Sequence, residues 1–155
     1  MSLFLLYVHI LGAMVLMGTG IGIAFFMVAA QPGKDPARIA PVAGIVVIAD
    51  TIFTAPAALL QPATGVLLAL DRGWSLTEPW LLLSVALYLL VGAFWLPVVW
   101  MQVRLRDLAR AALAEGGPLP PAYHRLYRLW FAFGIPAFAA MLGVIWLMLA
   151  RPALG

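Results

Sequence analysis

The sequence predicts an all-α membrane protein: a four-helix transmembrane bundle with kinked helices and both termini outside the cytoplasm. Composition is the first observation. Apolar side chains make up 65% of the 155 residues and charged ones 10%, where a soluble domain carries about 25% charged residues. Mean hydropathy is +1.06. The second is length, since four continuous apolar runs each reach the roughly 20 residues that cross a bilayer. The third is charge placement. Lys34, Arg38, Arg104, Arg106, Arg110, Arg125 and Arg128 flank the first and third loops, while Arg72 and Arg151 lie on the other face. Basic loops stay in the cytoplasm, so loops one and three belong there.

The first helix is expected at about residues 3–30, ended by QPGKDP. No basic stretch precedes it, and its run exceeds the ~7–15 residues of a signal-peptide core, so it reads as a retained helix. The second is expected at about 41–70 and ends at DRGW; the third at about 79–113 and ends at GGPLPP; the fourth at about 123–149 and ends at RP. Together they make a single domain over residues 1–155. Strands are not expected, because the runs do not alternate. Pro56 and Pro62, Pro97, and Pro136 interrupt three of the spans, and each removes a backbone donor and favours a kink. Residues 102–113 keep a helical period and read as a solvated, positively charged helix end.

Several chemistries are excluded. There is no cysteine, hence no disulfide, thiolate metal site, thiol nucleophile or covalent c-type haem. No phosphate-binding loop or serine triad is present, and GTGIG at 18–22 is glycine spacing within an apolar helix. The basic balance belongs to membrane orientation, with the lipid bilayer and no nucleic acid as partner.

Polar residues within the spans face the bundle interior, because lipid cannot solvate them. Positions three, four and seven apart share a helix face. His9 shares one with Gly12, Ala13, Leu16 and Gly20, a small face that admits a helix or a flat ligand. Asp50, Thr54, Ala57, Gln61, Thr64 and Gly65 form one stripe, and Ser84, Tyr88, Gly92, Trp95 and Gln102 another. At about 1.5 Å per residue, His9, Gln61, Thr64, Tyr88 and Met141 fall in one layer, with Asp50 nearer the midplane. His124 lies at the opposite end as an interfacial anchor. Trp74, Trp80 and Trp130 read as membrane-interface residues.

Three readings of His9 stay open: an interhelical hydrogen bond, to Gln61 or Tyr88; an axial ligand to a haem b; or a transient metal or proton site. On the second, the protein is a membrane-embedded haem or redox-cofactor-binding protein. Gly12 would give room, Gln61, Thr64 and Tyr88 would line the pocket, and the iron would be five-coordinate or face Met14, Met141 or a second copy's His9. Asp50 with Thr54 is either a structural hydrogen bond or a proton relay. The other class is a non-enzymatic accessory subunit or a permeation component for a small solute or metal, alone, as a homodimer, or in a larger membrane complex.

Three stretches, YVHILGAMVLMGTGIGIAFFM, DTIFTAPAALLQPATG and LYLLVGAFWLPVVWMQVRL, resemble the bacterial integral-membrane family filed as domain of unknown function 2269. That resemblance implies a bacterial cytoplasmic (inner) membrane protein and no particular activity. The glycine-flanked histidine of the first helix is more distantly similar to copper-resistance D-type proteins and HemJ-type protoporphyrinogen oxidases. The latter are haem proteins, which is what the likeness implies for His9.

Overall fold

A computed structural model describes residues 2–152. The chain forms four helical rods. α1 spans Ser2–Ala30; α2, Pro36–Ala49, passes through a π turn at Asp50–Thr54 into α3, Ala55–Asp71; α4 spans Pro79–Glu115 and α5 Pro121–Ala150. All four rods are long and apolar enough to cross a membrane, and no strand occurs among the described residues.

Local chemistry sets the ends. Prolines sit in the first turns of α2, α4 and α5, where a missing N–H costs nothing. The second rod therefore begins at Pro36, five residues before the expected start, and Pro41 lies inside it. Asp35 caps that start by accepting from Ala37 N at 2.9 Å. At the other end of α4, Gly116 takes a left-handed φ of 64°, which a side chain would disfavour. The exposed C-terminus of α1 is held by Arg38, whose Nη2 donates to Ala29 O at 2.7 Å.

The prolines act unequally. α4 and α5 continue as helix through Pro97 and Pro136. The second rod leaves α geometry just ahead of Pro56, where Ala55 N–H reaches back five residues to Asp50 O. A π turn holds one residue more than an α turn. It turns the faces of α2 and α3 relative to each other.

The densest packing lies at the end that carries the first and third loops. Ile23 and Met27 of α1, Ile39 and Ala43 of α2, Leu105 and Ala109 of α4, and Tyr123 of α5 meet there. Gln31 Nε2 donates to the buried Tyr123 hydroxyl at 2.9 Å, tying α1 to α5. This corrects the expectation for residues 102–113. Leu105 and Ala109 have no exposed surface, because α2 and α5 cover the end of α4. Gly44 of α2 makes part of this possible: a Cβ there would lie 3.1 Å from Arg110 Nη2.

Toward the opposite end the rods pair. α1 packs on α3, and α4 on α5. The α4–α5 approach is close at Gly143, where a Cβ would lie 3.1 Å from Leu87 Cδ1. α3 and α4 meet near their shared loop, where Ala69 packs on Trp80 and Leu81. Trp80 and Trp130 are thus buried against neighbouring helices, at 7% and 5% exposure. Trp74 stacks edge-on against Trp80 and lies under the Arg151 guanidinium at 4.7 Å. His124 sits edge-on against Tyr123.

Candidate functional site

The polar residues of the spans fall into two groups on either side of the π turn. The first fastens α1 to α3. Gln61 Nε2 donates to the His9 carbonyl at 3.0 Å. His9 Nδ1 lies 2.8 Å from Thr64 Oγ1, which also lies 2.8 Å from Leu60 O. A hydroxyl has one hydrogen: with it on Leu60 O, Nδ1–H donates to Thr64 and Nε2 keeps its lone pair. Each large side chain rests over a glycine of the partner helix. A Cβ at Gly12 would lie 3.3 Å from Gln61 Cδ, and one at Gly65 would lie 3.3 Å from His9 Cε1. The small face expected to receive a second helix or a flat ligand is therefore filled at Gly12 by Gln61. Met14 is 64% exposed on the outside of α1.

The second group surrounds a cavity of about 850 Å³ between α1, the π turn, α4 and α5. Asp50, Thr54, Tyr88, Trp95, Gln102 and Met141 line it; His9, Gly12, Gln61 and Thr64 do not. The layer expected to unite His9, Gln61, Thr64, Tyr88 and Met141 is divided, because the extra residue of the π turn aims Asp50 at α4 and Gln61 at α1. Gly20, Gly92 and Gly134 also line the cavity. A Cβ at any of them would meet no atom within 4 Å, so missing side chains leave part of the space.

Tyr88 is a strut across this cavity. Pro62 has no N–H to give the carbonyl four residues earlier, that of Ala58. The Tyr88 hydroxyl supplies it, donating to Ala58 O at 2.6 Å. Its phenol is thus committed to the backbone of α3 rather than free for a ligand.

Asp50 is 3% exposed. Its Oδ1 accepts from Trp95 Nε1 at 3.3 Å. Its Oδ2 has no partner, nor have Thr54 Oγ1, Gln102 Oε1 and Trp130 Nε1, and in the first group Gln61 Oε1 has none either. The first four belong to cavity-lining residues, and among the described residues no Lys, Arg or His lines the space. Gln102 and Trp95 are two turns apart on one face of α4, roughly 10 Å at the helical rise, so polar atoms recur along the wall. Trp95, Gln102 and Trp130 were visible in the sequence as a stripe and a boundary aromatic, but only the packing shows that they share a cavity with Asp50. Among the described residues, no group of three or more His, Cys, Asp or Glu comes together to hold a metal ion.

The sequence model of the family described as predicted integral membrane protein (DUF2269) matches residues 3–152. The chain belongs to that family. No curated protein and no solved structure matches it. The match spans all four rods, so both polar groups lie within the part that defines DUF2269 membership here.

Tyr88→Phe leaves the Ala58 carbonyl unanswered in an apolar setting. It should destabilise the bundle by about 1–3 kcal/mol, read as a lower melting temperature in detergent. An unchanged melting temperature would remove the strut role.

Proposed function

We propose that this protein binds an apolar small molecule within the membrane, in the cavity around Asp50. The observation that supports this is the meeting of a large cavity with four buried polar atoms that lack partners. Each such atom costs about 1–3 kcal/mol, and a ligand with a polar end would answer several at once. Ligand pockets are typically about 300–1,000 Å³, mainly apolar, with a few polar groups. The rim includes Phe25, Leu59, Leu96 and Ile135, all exposed on the bundle's outside. The ligand therefore enters from the hydrocarbon. Membrane-soluble redox cofactors and solutes in transit both suit such a site, and a non-enzymatic binding or permeation component suits it better than an enzyme with assembled catalytic groups.

Haem b on His9 is the second reading. What favours it is the Nδ1 contact to Thr64, which orients the ring and leaves Nε2 for iron, the usual way a ligating imidazole is held. Since Gln61 fills the space over Gly12, that haem would lie on the membrane-facing side of the α1–α3 seam, shared with a second copy's His9. We also place the first and third loops in the cytoplasm and both termini outside, in a bacterial inner membrane, on the positive-inside rule.

Three outcomes check these readings. The neutral probe para-dibromobenzene should quench tryptophan fluorescence saturably in lipid nanodiscs. Gly92→Leu and Gly134→Leu should fill the cavity, raise the melting temperature and abolish that quenching; saturable quenching that survives both would sink the cavity reading. For haem, protein from haem-supplemented cells should show a Soret band that His9→Ala removes, and a colourless folded protein rejects it. For orientation, the chain lacks cysteine, so cysteines placed at Lys34 and Ser75 report cleanly. Impermeant thiol reagents added to intact cells should label the second and spare the first, and the reverse pattern inverts the topology.

A further inference from the structure

Resting on the cavity reading above, the chemistry of the unanswered atoms identifies the kind of ligand. Asp50 Oδ2 and Gln102 Oε1 are oxygens that accept hydrogen bonds, and the Thr54 hydroxyl can accept as well. Trp130 Nε1 can only donate, and the Thr54 hydroxyl donates as well as accepts. The wall thus offers acceptors at Asp50, Gln102 and Thr54 beside donors at Trp130 and Thr54. It also carries a carboxyl group with no basic side chain among the described lining residues. A buried carboxyl is costly as an ion unless it is paired; the described wall offers no pairing charge, and a cationic ligand would bring one. Aromatic surface is the other resource. Trp95, Trp130, Phe131 and Phe138 line the same space, and ring faces attract cations, more strongly when water is absent.

We propose that the cavity takes an amphipathic organic cation: an ammonium or amidinium head that donates to Asp50 and Gln102, on an apolar body lying among the aromatic residues. A head of this kind has donors only and brings the missing positive charge. An anionic head would meet the Asp50 carboxylate, and a neutral one would leave it without a counter-charge. The apolar body suits the rim, since such molecules partition into the bilayer before they reach it.

The test uses two probes of one shape, para-hexylbenzylamine, charged at neutral pH, and para-hexylbenzyl alcohol. Each displaces para-dibromobenzene from the full chain in phosphatidylcholine nanodiscs, read by recovery of tryptophan fluorescence. The amine should bind wild type roughly ten- to a hundredfold more tightly than the alcohol, the scale of a charge-assisted contact. Asp50→Asn should erase that preference while alcohol binding persists, and Asp50→Glu should keep it. Equal binding of amine and alcohol to wild type overturns the cation inference and leaves the cavity reading standing. An amine preference that survives in Asp50→Asn overturns it too. If neither probe displaces a saturably bound quencher, the cation inference falls; if the quencher itself does not bind saturably, both readings fall. Should Asp50→Asn not fold by circular dichroism, the wild-type ratio and the Asp50→Glu protein decide.

Discussion

Hydrocarbon offers no hydrogen bonds, so each polar group placed in it must be answered by the protein itself. Most of this structure follows from that requirement. The backbone closes on itself as four rods. Ser84 and Thr51 turn their hydroxyls back to carbonyls four residues earlier, at 2.7 and 2.8 Å. Where Pro62 breaks the ladder, a tyrosine from another helix completes it. Apolar residues have little reason to hide from lipid, and Leu3, Leu59 and Leu149 stay 78% exposed. What joins the rods is the core beside the basic loops, close packing at a few glycines and a handful of hydrogen bonds. Against that background the cluster of unanswered atoms around Asp50 stands apart, with Gln61 Oε1 the one other among the described residues.

The four spans were legible in the sequence because length and hydropathy alone decide them. So was the inward turn of the polar stripe: Asp50, Thr54, Gln61 and Thr64 are all buried. The stripe did not show that it serves two partners. A regular helical period keeps these residues on one face, and the π turn breaks that period by one residue. Its cause, Pro56, was visible, but a proline signals a kink as readily as a widened turn. Gly12 was seen as room for a ligand because nothing in α1 itself says that Gln61 fills it. The end of α4 looked solvated on account of its arginines, whereas its other face, with Leu105 and Ala109, lies under α2. The pairing of Trp130 and Gln102 with Asp50 joins three separate helices and leaves no local pattern.

The two polar groups divide the work between them. His9, Gln61 and Thr64 tie α1 to α3 through two hydrogen bonds and two side chains seated over glycines, with Gln61 Oε1 left unanswered. Asp50, Thr54, Gln102 and Trp130 each carry an unanswered atom beside a hollow. Gly92 and Gly134, which border it, forgo the packing a side chain would supply.

The packed end also leaves the bundle unevenly tied. Beside the basic loops α1, α2, α4 and α5 share one core, while α3 meets α4 near their shared loop. An opening toward that other end would enlarge the footprint in one leaflet and hardly in the other, so the lateral pressure of a single leaflet would bear on it.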